Sequence, residues 1–144
     1  MAEVEKSIGQ DLLFMRPGHC AGDFVQAAQW KILREERGLV EVDAHIPAHL
    51  LNPRKQLFGG FTGTYVDMIS IYTIRTLYDD HTSFWASTIN MRIDYLDPVF
   101  GPRVLLRGEL IKQGKSTSLV ATHFLDADGN KLVYAITTLR MKAA

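Results

Sequence analysis

Residues 58–80 form the segment that most constrains how this chain can fold. They start with a glycine pair and keep a helical pattern of apolar side chains for about twenty residues. The apolar positions lie almost all the way round the helix: Phe61, Tyr65, Val66, Met68, Ile69, Ile71, Tyr72, Ile74, Leu77 and Tyr78. Because a helix without a wet face must be covered by other elements, the sequence predicts a central helix that the rest of the chain encloses.

Asp67 does not fit that helix. At about 100° per residue, it shares a stripe with small and apolar residues, namely Gly60, Gly63, Ile71, Ile74 and Tyr78. Burying an ionised carboxylate without partners costs several kcal/mol. Two interpretations stay open. One is a structural Asp, bonded to a hydroxyl such as that of Thr64 or exposed in a local gap, and the other is a catalytic carboxylate.

Strand patterns flank the helix on both sides. Alternating apolar and polar residues, separated by turn residues, predict strands at 24–34, 39–46, 86–97, 103–113, 118–125 and 131–142. A short helix is predicted for residues 2–15 and a loop for residues 50–57. The order β-β-α-β-β-β-β places one helix on an antiparallel sheet of about six strands, an α+β architecture. Residues 1–144 are expected to form a single domain.

The charge balance argues against several classes of partner. The 144 residues carry 16 basic and 16 acidic side chains, and this balance gives no long-range attraction to nucleic acid or to an anionic membrane. No apolar run approaches the roughly 20 residues that span a bilayer. With a single cysteine, Cys20, and an acidic rather than a basic N-terminus, the protein is expected to be cytoplasmic.

The five histidines show no metal-binding spacing. His45 and His49 are four residues apart, but Pro47 lies between them and prevents the helix that would align their rings. No metal site is expected.

The order of the elements and four sequence features carry a family resemblance. These features are the glycine pair that opens the helix, the Asp seven residues later, the strand TINMRIDYLDP, and the tail IKQGKSTSLVATHFLDADGNKLVYAITTLRM. Between Val40 and Met141 the chain resembles the hot-dog-fold acyl-CoA thioesterases, specifically the PaaI-like (phenylacetate-degradation) branch of the 4-hydroxybenzoyl-CoA thioesterase superfamily. The resemblance implies the hot-dog fold, in which one long central helix is wrapped by the antiparallel sheet.

In that branch the helix-opening motif usually has an Asn, a His-Gly-Gly that begins six positions later, and an Asp seven positions after the second glycine. Asn52, Gly59, Gly60 and Asp67 stand in register with it, whereas Phe58 replaces the histidine. The resemblance implies an enzyme that hydrolyses an acyl-CoA thioester to a carboxylic acid and free CoA, without a metal or an organic cofactor. The family histidine is thought to orient the thioester or its leaving sulfur, so its replacement implies reduced activity.

The implied roles agree with the chemistry of these residue types. A helix N-terminus offers backbone N–H groups and a positive dipole end to a thioester carbonyl, and Gly59 and Gly60 let a substrate approach that backbone closely. Asp67 would act either as a nucleophile that forms an anhydride or as a general base on water. Thr88, where the family tends to carry a hydroxyl residue, would hold the water or the carboxylate, and Asn52 would shape the loop.

Three basic residues are candidates for contacts with the CoA phosphates. Lys115 lies in a predicted turn where the family tends to have a basic residue, and Arg54 and Lys55 lie in the loop before the helix. Phe58 and Gly60 would contact the rest of the substrate. The alternative for the three basic residues is that they are solvated side chains.

The spacing along the helix predicts an active site shared between two chains. Asp67 lies seven residues from Gly60, a rise of about 10 Å at 1.5 Å per residue, which is too far for Asp67 to attack a carbonyl bound at its own helix N-terminus. We therefore expect a homodimer with a two-fold axis, in which Asp67 and Thr88 of one chain face the helix start of the other. The pairing of dimers into a homotetramer is left open.

Two other functions stay open. One is a non-catalytic protein that binds acyl thioesters and kept the fold after it lost the histidine. The other is an acyl-thioester dehydratase, which is disfavoured because such chemistry generally needs a histidine beside the acid, and Phe58 occupies the nearest candidate position.

Overall fold

The computed structural model of the protein describes residues 30–78 and 84–143. Within these ranges, one α-helix and six strands follow one another in the order β-β-α-β-β-β-β. Their bounds are β1 (Lys31–Glu36), β2 (Leu39–His45), α1 (Gly59–Arg75), β3 (Phe84–Tyr95), β4 (Arg103–Gln113), β5 (Thr117–Leu125) and β6 (Lys131–Ala143). A short 3-10 helix at Ala48–Leu50 precedes α1.

The six strands form one antiparallel sheet in the order β1-β2-β4-β5-β6-β3. Helix α1 packs against this sheet, so the structure confirms the predicted α+β architecture and the hot-dog fold. Strand β3 lies at one edge of the sheet, and among the described strands only β6 pairs with it. No helix in the described ranges is long and apolar enough to cross a membrane.

The helix contributes large side chains to the core. Tyr65, Ile69 and Tyr72 are fully buried, in the same cluster as Leu106 and Phe124 of the sheet. The ring of Tyr65 lies edge-on to that of Phe124, with centroids 6.4 Å apart, and burial raises the pKa of Tyr65 to about 12. Burying an apolar side chain such as that of Ile69 contributes roughly 1.5–3 kcal/mol, so this face fixes the helix on the sheet.

Gly108 in β4 marks a close approach of the helix to the sheet. A Cβ atom at this position would collide with Oγ1 of Thr73 and would lie 3.2 Å from side-chain atoms of Ile69 and of Val40. Glycine leaves room here for the helix backbone and its hydroxyl side chain. The position therefore sets how deeply α1 seats on the sheet.

The opposite side of the helix is less enclosed than the sequence predicts. Phe61 is 39% exposed, Gly60 and Thr64 are exposed, and Asp67 is half-buried. Strand β3 reaches this side, where Thr88 bonds to Asp67, but it leaves these residues partly exposed. The expectation of a helix enclosed all round is therefore wrong for a single chain, although it holds for the side that packs on the sheet.

The helix ends earlier than residue 80 because its last turn tightens. The backbone N–H of Leu77 donates to the Ile74 carbonyl at 3.0 Å, and that of Tyr78 donates to the Arg75 carbonyl at 3.2 Å. These i to i+3 contacts convert the end of the helix to 3-10 geometry. Regular α-helix therefore stops at Arg75, and residues 79–80 lie outside the described residues.

The predicted strand bounds differ from the observed ones at a few ends. Strand β1 runs to Glu36, beyond the predicted residue 34, because Gly38 with a φ of 79° closes a shorter turn. Strand β3 ends at Tyr95, before the predicted residue 97, because the N–H groups of the next two residues both bond to the Leu132 carbonyl at 3.0 Å. Predicted strand residues 24–29 and the predicted helix at 2–15 lie outside the described residues.

Candidate active site

Asn52 shapes the loop that leads into the central helix. Its side-chain oxygen accepts hydrogen bonds from the backbone N–H groups of Arg54 at 2.9 Å and Gln56 at 3.1 Å. Its backbone N–H donates to the Gln56 carbonyl at 2.8 Å, and Lys55 takes a φ of 64° within the turn. Asparagine favours such side-chain-to-backbone turns. The loop geometry therefore agrees with the role predicted for Asn52.

The first turn of α1 presents backbone donors without a cap. The first N–H groups of a helix have no acceptor within the helix, and Phe58 at the N-cap makes no side-chain hydrogen bond to them. Gly60 is exposed, and a Cβ atom added there would meet no described atom within 4 Å. Gly59 and Gly60 therefore leave the positive end of the helix dipole accessible to a ligand.

A cleft of about 390 Å³ adjoins this helix start. It is lined by Asn52, Gln56, Leu57, Phe58, Gly59, Thr62 and residues 95–99. Tyr95, the last residue of β3, donates a hydrogen bond from its hydroxyl to the Gly59 carbonyl at 2.6 Å. The cleft combines backbone donors with a few polar side chains, an arrangement that can fix the orientation of a small polar group such as a carbonyl.

Asp67 bonds to Thr88 rather than to Thr64. The Thr88 hydroxyl on β3 donates to Oδ1 of Asp67. The Asp67 side chain is half-buried, on the open side of the helix, so apolar neighbours do not enclose it in a single chain. One hydroxyl group holds the carboxylate, which stays accessible to a molecule that binds on this side of the helix. Its catalytic role stays a prediction.

The predicted site residues fall into two groups, one at the start of α1 and one near its middle. Tyr95 contacts Gly59 at the helix start, and Thr88 contacts Asp67 further along, so α1 and β3 run antiparallel beside each other. Helix α1 is continuous from Gly59 to Arg75, and the rise of about 10 Å expected from Gly60 to Asp67 therefore applies. Within one chain, Asp67 and the helix start are not brought together.

The three basic candidates are exposed and are divided between these groups. Arg54 and Lys55 lie at the tip of the Asn52 loop, near the helix start. Lys115 lies in the turn between β4 and β5, and the strand register puts that turn on the same side of the molecule as Thr88. Lys115 therefore lies on the Asp67 side of the molecule and not on the side of the glycine pair.

Most residues of the cleft were missed by sequence reasoning, among them Gln56, Thr62 and Tyr95. Alternation along β3 indicates that Tyr95 shares a face with Ile93, but its contact with Gly59 depends on how far β3 and α1 are shifted along each other. No local pattern encodes that shift. The DYLDP sequence indicates only where the strand ends.

The outer face of the sheet carries a separate polar cluster. The rings of His123 and Tyr134 lie 5.1 Å apart. Burial, followed by the positive charges of Lys131 and Arg107, lowers the pKa of His123, and the charge of Glu109 acts in the opposite sense. This cluster faces away from α1.

Among residues 30–78 and 84–143, no group of three or more His, Cys, Asp or Glu side chains is placed to hold a metal ion.

The fold and this arrangement define a hot-dog protein with an open helix start beside a polar cleft. A family model described as the thioesterase superfamily matches residues 55–133, more than half of the chain. The chain belongs to the thioesterase superfamily. A search of curated proteins finds no match for it.

Several solved structures share the fold. A mutant of the hypothetical protein SAV0944 from Staphylococcus aureus superposes with a TM-score of 0.76 at 20% identity, over 84% of this chain and 99% of the other. The protein smu.793 from Streptococcus mutans UA159, bound to acetyl CoA, gives 0.70 at 22% identity, over 79% and 89%. The thioesterase HI1161 from Haemophilus influenzae gives 0.74 at 14% identity, over 86% and 85%. At these identities the likeness shows the fold alone.

Proposed function

We propose that this protein is an acyl-CoA thioesterase, which hydrolyses an acyl-CoA to a carboxylic acid and free CoA. The observation that carries the proposal is the uncapped start of α1 at Gly59 and Gly60, next to a cleft that combines apolar and polar side chains. Membership of the thioesterase superfamily supports it. So does the acetyl CoA bound to smu.793, a protein with the same fold.

In this proposal the thioester carbonyl oxygen binds at the helix start. The backbone N–H groups of Gly59 and Gly60, with the helix dipole, stabilise the negative charge that develops on that oxygen. Asp67 then either attacks the carbonyl carbon, which gives an acyl anhydride and the CoA thiolate, or removes a proton from an attacking water. In the first route a water hydrolyses the anhydride and restores the carboxylate. In both routes the C–S bond breaks and the thiolate takes up a proton.

Thr88 holds the carboxylate during this chemistry. Its hydroxyl donates to one oxygen of Asp67, which leaves the second oxygen free to attack or to accept a proton. The reaction needs no metal and no organic cofactor, because the helix start supplies the positive charge that a metal would otherwise provide.

We further infer that two chains form a homodimer with shared active sites. A carbonyl held at the helix start is out of reach of Asp67 in the same chain, because about 10 Å of helix separates Gly60 from Asp67. A two-fold axis that crosses α1 midway between Gly60 and Asp67 would bring Asp67 and Thr88 of one chain to the glycine pair of its partner.

The free edge of β3 supports this dimer. The strand is 12 residues long, and its outer edge has no partner among the described strands. Apolar side chains beside it are exposed: Phe61 by 39%, Ile89 by 56% and Tyr95 by 57%. A long unpaired edge with apolar neighbours favours association. Antiparallel pairing with β3 of a second copy would satisfy the edge and cover the open side of the helix.

The proposal extends to the binding of CoA and to the rate. In such a dimer, Lys115 of one chain and Arg54 and Lys55 of its partner flank the same site, and they would bind the CoA phosphates. Phe58 cannot donate the hydrogen bond expected of the family histidine, so we expect a slow member of the PaaI-like branch. Assembly into a homotetramer and a cytoplasmic location also stay predictions.

Replacing Asp67 with asparagine tests the proposed chemistry. Asparagine is close to isosteric and can still accept the Thr88 hydrogen bond, but its amide cannot act as a nucleophile or base. We expect Asp67→Asn to lower turnover by more than about tenfold, or 1.4 kcal/mol, on every acyl-CoA that the wild type hydrolyses. The measurement is release of CoA thiol from a panel of acyl-CoAs, with the melting temperature as a check on folding.

Asp128→Asn is the matched control, because Asp128 is exposed in the hairpin between β5 and β6. This variant should keep wild-type turnover. Retention of more than about a tenth of the turnover in Asp67→Asn would exclude Asp67 as the central group.

A non-catalytic acyl-thioester-binding protein is the second candidate. The observation that favours it is Phe58 at the N-cap of α1, where the family carries its histidine. Such a protein would bind acyl-CoAs but release thiol from none of the panel. Loss of water from a 3-hydroxyacyl thioester would instead indicate a dehydratase.

A further inference from the structure

We propose that Tyr95 is a positioning residue for the carbonyl-binding helix start, where it holds the peptide between Gly59 and Gly60. This inference rests on the proposed thioesterase function. Unlike an N-cap side chain, which accepts from the first N–H groups, Tyr95 restrains the first turn from the carbonyl side.

The contact of Tyr95 with the helix start has two parts. Its hydroxyl donates to the Gly59 carbonyl at 2.6 Å. Its ring lies against the same residue, because a Cβ atom built on Gly59 would be 3.6 to 3.8 Å from the outer ring atoms and the hydroxyl of Tyr95. Tyr95 is nevertheless 57% exposed, so general burial does not account for this placement.

Fixing the Gly59 carbonyl also fixes a donor. The carbonyl of Gly59 and the N–H of Gly60 belong to one planar peptide unit, so a hydrogen bond that holds the carbonyl also sets the direction of the N–H. A hydrogen bond accepted by the carbonyl polarises the peptide and makes its N–H a better donor. Tyr95 therefore acts on the Gly60 N–H, one of the groups proposed to stabilise the oxyanion.

This helix start needs such a restraint more than most. Two consecutive glycines have more backbone freedom than any other pair of residues, and no side chain caps them. An oxyanion donor works only when it is held in place before the charge develops. Without Tyr95 the first turn would sample orientations in which the Gly60 N–H no longer faces the substrate.

The test is the variant Tyr95→Phe, which removes the hydroxyl and keeps the ring on Gly59. We expect kcat to fall about tenfold, with KM within about twofold, because the donor matters most for the charge in the transition state. Tyr134→Phe is the matched control, since Tyr134 lies in β6 on the outer face of the sheet, against His123. That variant should keep wild-type kinetics.

A second readout does not depend on turnover. In 15N-labelled protein, Tyr95→Phe should shift the Gly60 amide resonance and lower its backbone order parameter, while amides in the middle of α1 stay unchanged. If the wild type hydrolyses no acyl-CoA, the proposed function fails, and this measurement still decides whether Tyr95 holds the helix start.

The outcomes that would overturn the inference are distinct. Wild-type kcat in Tyr95→Phe, together with an unchanged Gly60 amide, would mean that the hydroxyl positions nothing. A fall in kcat accompanied by a lower melting temperature or by loss of the oligomer would mean that Tyr95 acts through folding or assembly.

Discussion

Phe58 places an aromatic ring at the N-cap, a position that usually carries a hydrogen-bonding side chain. The ring is 47% exposed and lies edge-on to Phe61, with centroids 6.3 Å apart. The ring cannot accept a hydrogen bond from the first turn, so the N–H groups of Gly59 and Gly60 stay available to a ligand. The same ring can pack on an acyl or pantetheine chain. One substitution within the motif thus removes a polar group and adds apolar surface at the cleft.

The variant Phe58→His restores the family residue and tests this view. We expect its turnover to rise on at least one acyl-CoA, by about tenfold, because an imidazole can donate to the thioester or its leaving sulfur. Phe61→His is the control, since Phe61 belongs to the same aromatic pair but lies within the helix, and it should bring no gain. Lower turnover of Phe58→His on every substrate would instead assign the ring to a specific pocket.

Within strand β4, we expect a small change at Gly108 to cause a large loss of folding stability. Gly108→Ala adds one methyl group where Thr73, Ile69 and Val40 leave no room. Either α1 lifts from the sheet or these side chains leave their rotamers, and overpacking of this kind costs about 1–3 kcal/mol. Urea unfolding followed by circular dichroism measures the loss.

Gly63→Ala is the matched control for that prediction. A Cβ atom at Gly63 would lie 3.8 Å from Ile93 and 3.9 Å from Met91, which is ordinary van der Waals contact. Because alanine is favoured over glycine within a helix by roughly 0.5–1 kcal/mol, this variant should unfold at equal or higher urea concentration. Equal stability of Gly108→Ala and the wild type would show that the helix can shift on the sheet without cost.

The elements of the fold could largely be predicted from the sequence, whereas their relative shifts could not. The bounds predicted for β4, residues 103–113, match the structure, because alternation is clear and turn residues stand at both ends. The family resemblance also selected Asn52, Asp67 and Thr88, whose hydrogen bonds the structure describes. The contact of Tyr95 with the helix start depends on how α1 packs against β3, and the periodicity of apolar residues in the sequence does not predict that packing.

The whole molecule leaves one side of its central helix open, and the proposed dimer closes it. Mixing two inactive variants tests whether the site is shared. Asp67→Asn removes the carboxylate, and Gly59→Trp blocks the backbone donors at the helix start. Random pairing after joint refolding makes about half of the dimers mixed, each with one intact site of two, so roughly a quarter of wild-type activity should return.

Two variants at the same position serve as the control for that experiment. Asp67→Asn refolded with Asp67→Ala should restore nothing, because every site then lacks the carboxylate. If the pair Asp67→Asn and Gly59→Trp also restores nothing although mixed dimers form, the site lies within one chain.

The distance of about 10 Å between Gly60 and Asp67 along α1 would make the turnover depend on the concentration of the protein, because each proposed site needs two chains. A single folded chain would contain both the helix start and the Asp67 carboxylate, but the two could not act on the same substrate molecule. While chains are scarce, the number of working sites would grow with the square of the chain concentration, and it would become proportional only once most chains have paired. A modest change in synthesis or degradation would then alter the flux of thioester more steeply than it alters the amount of protein.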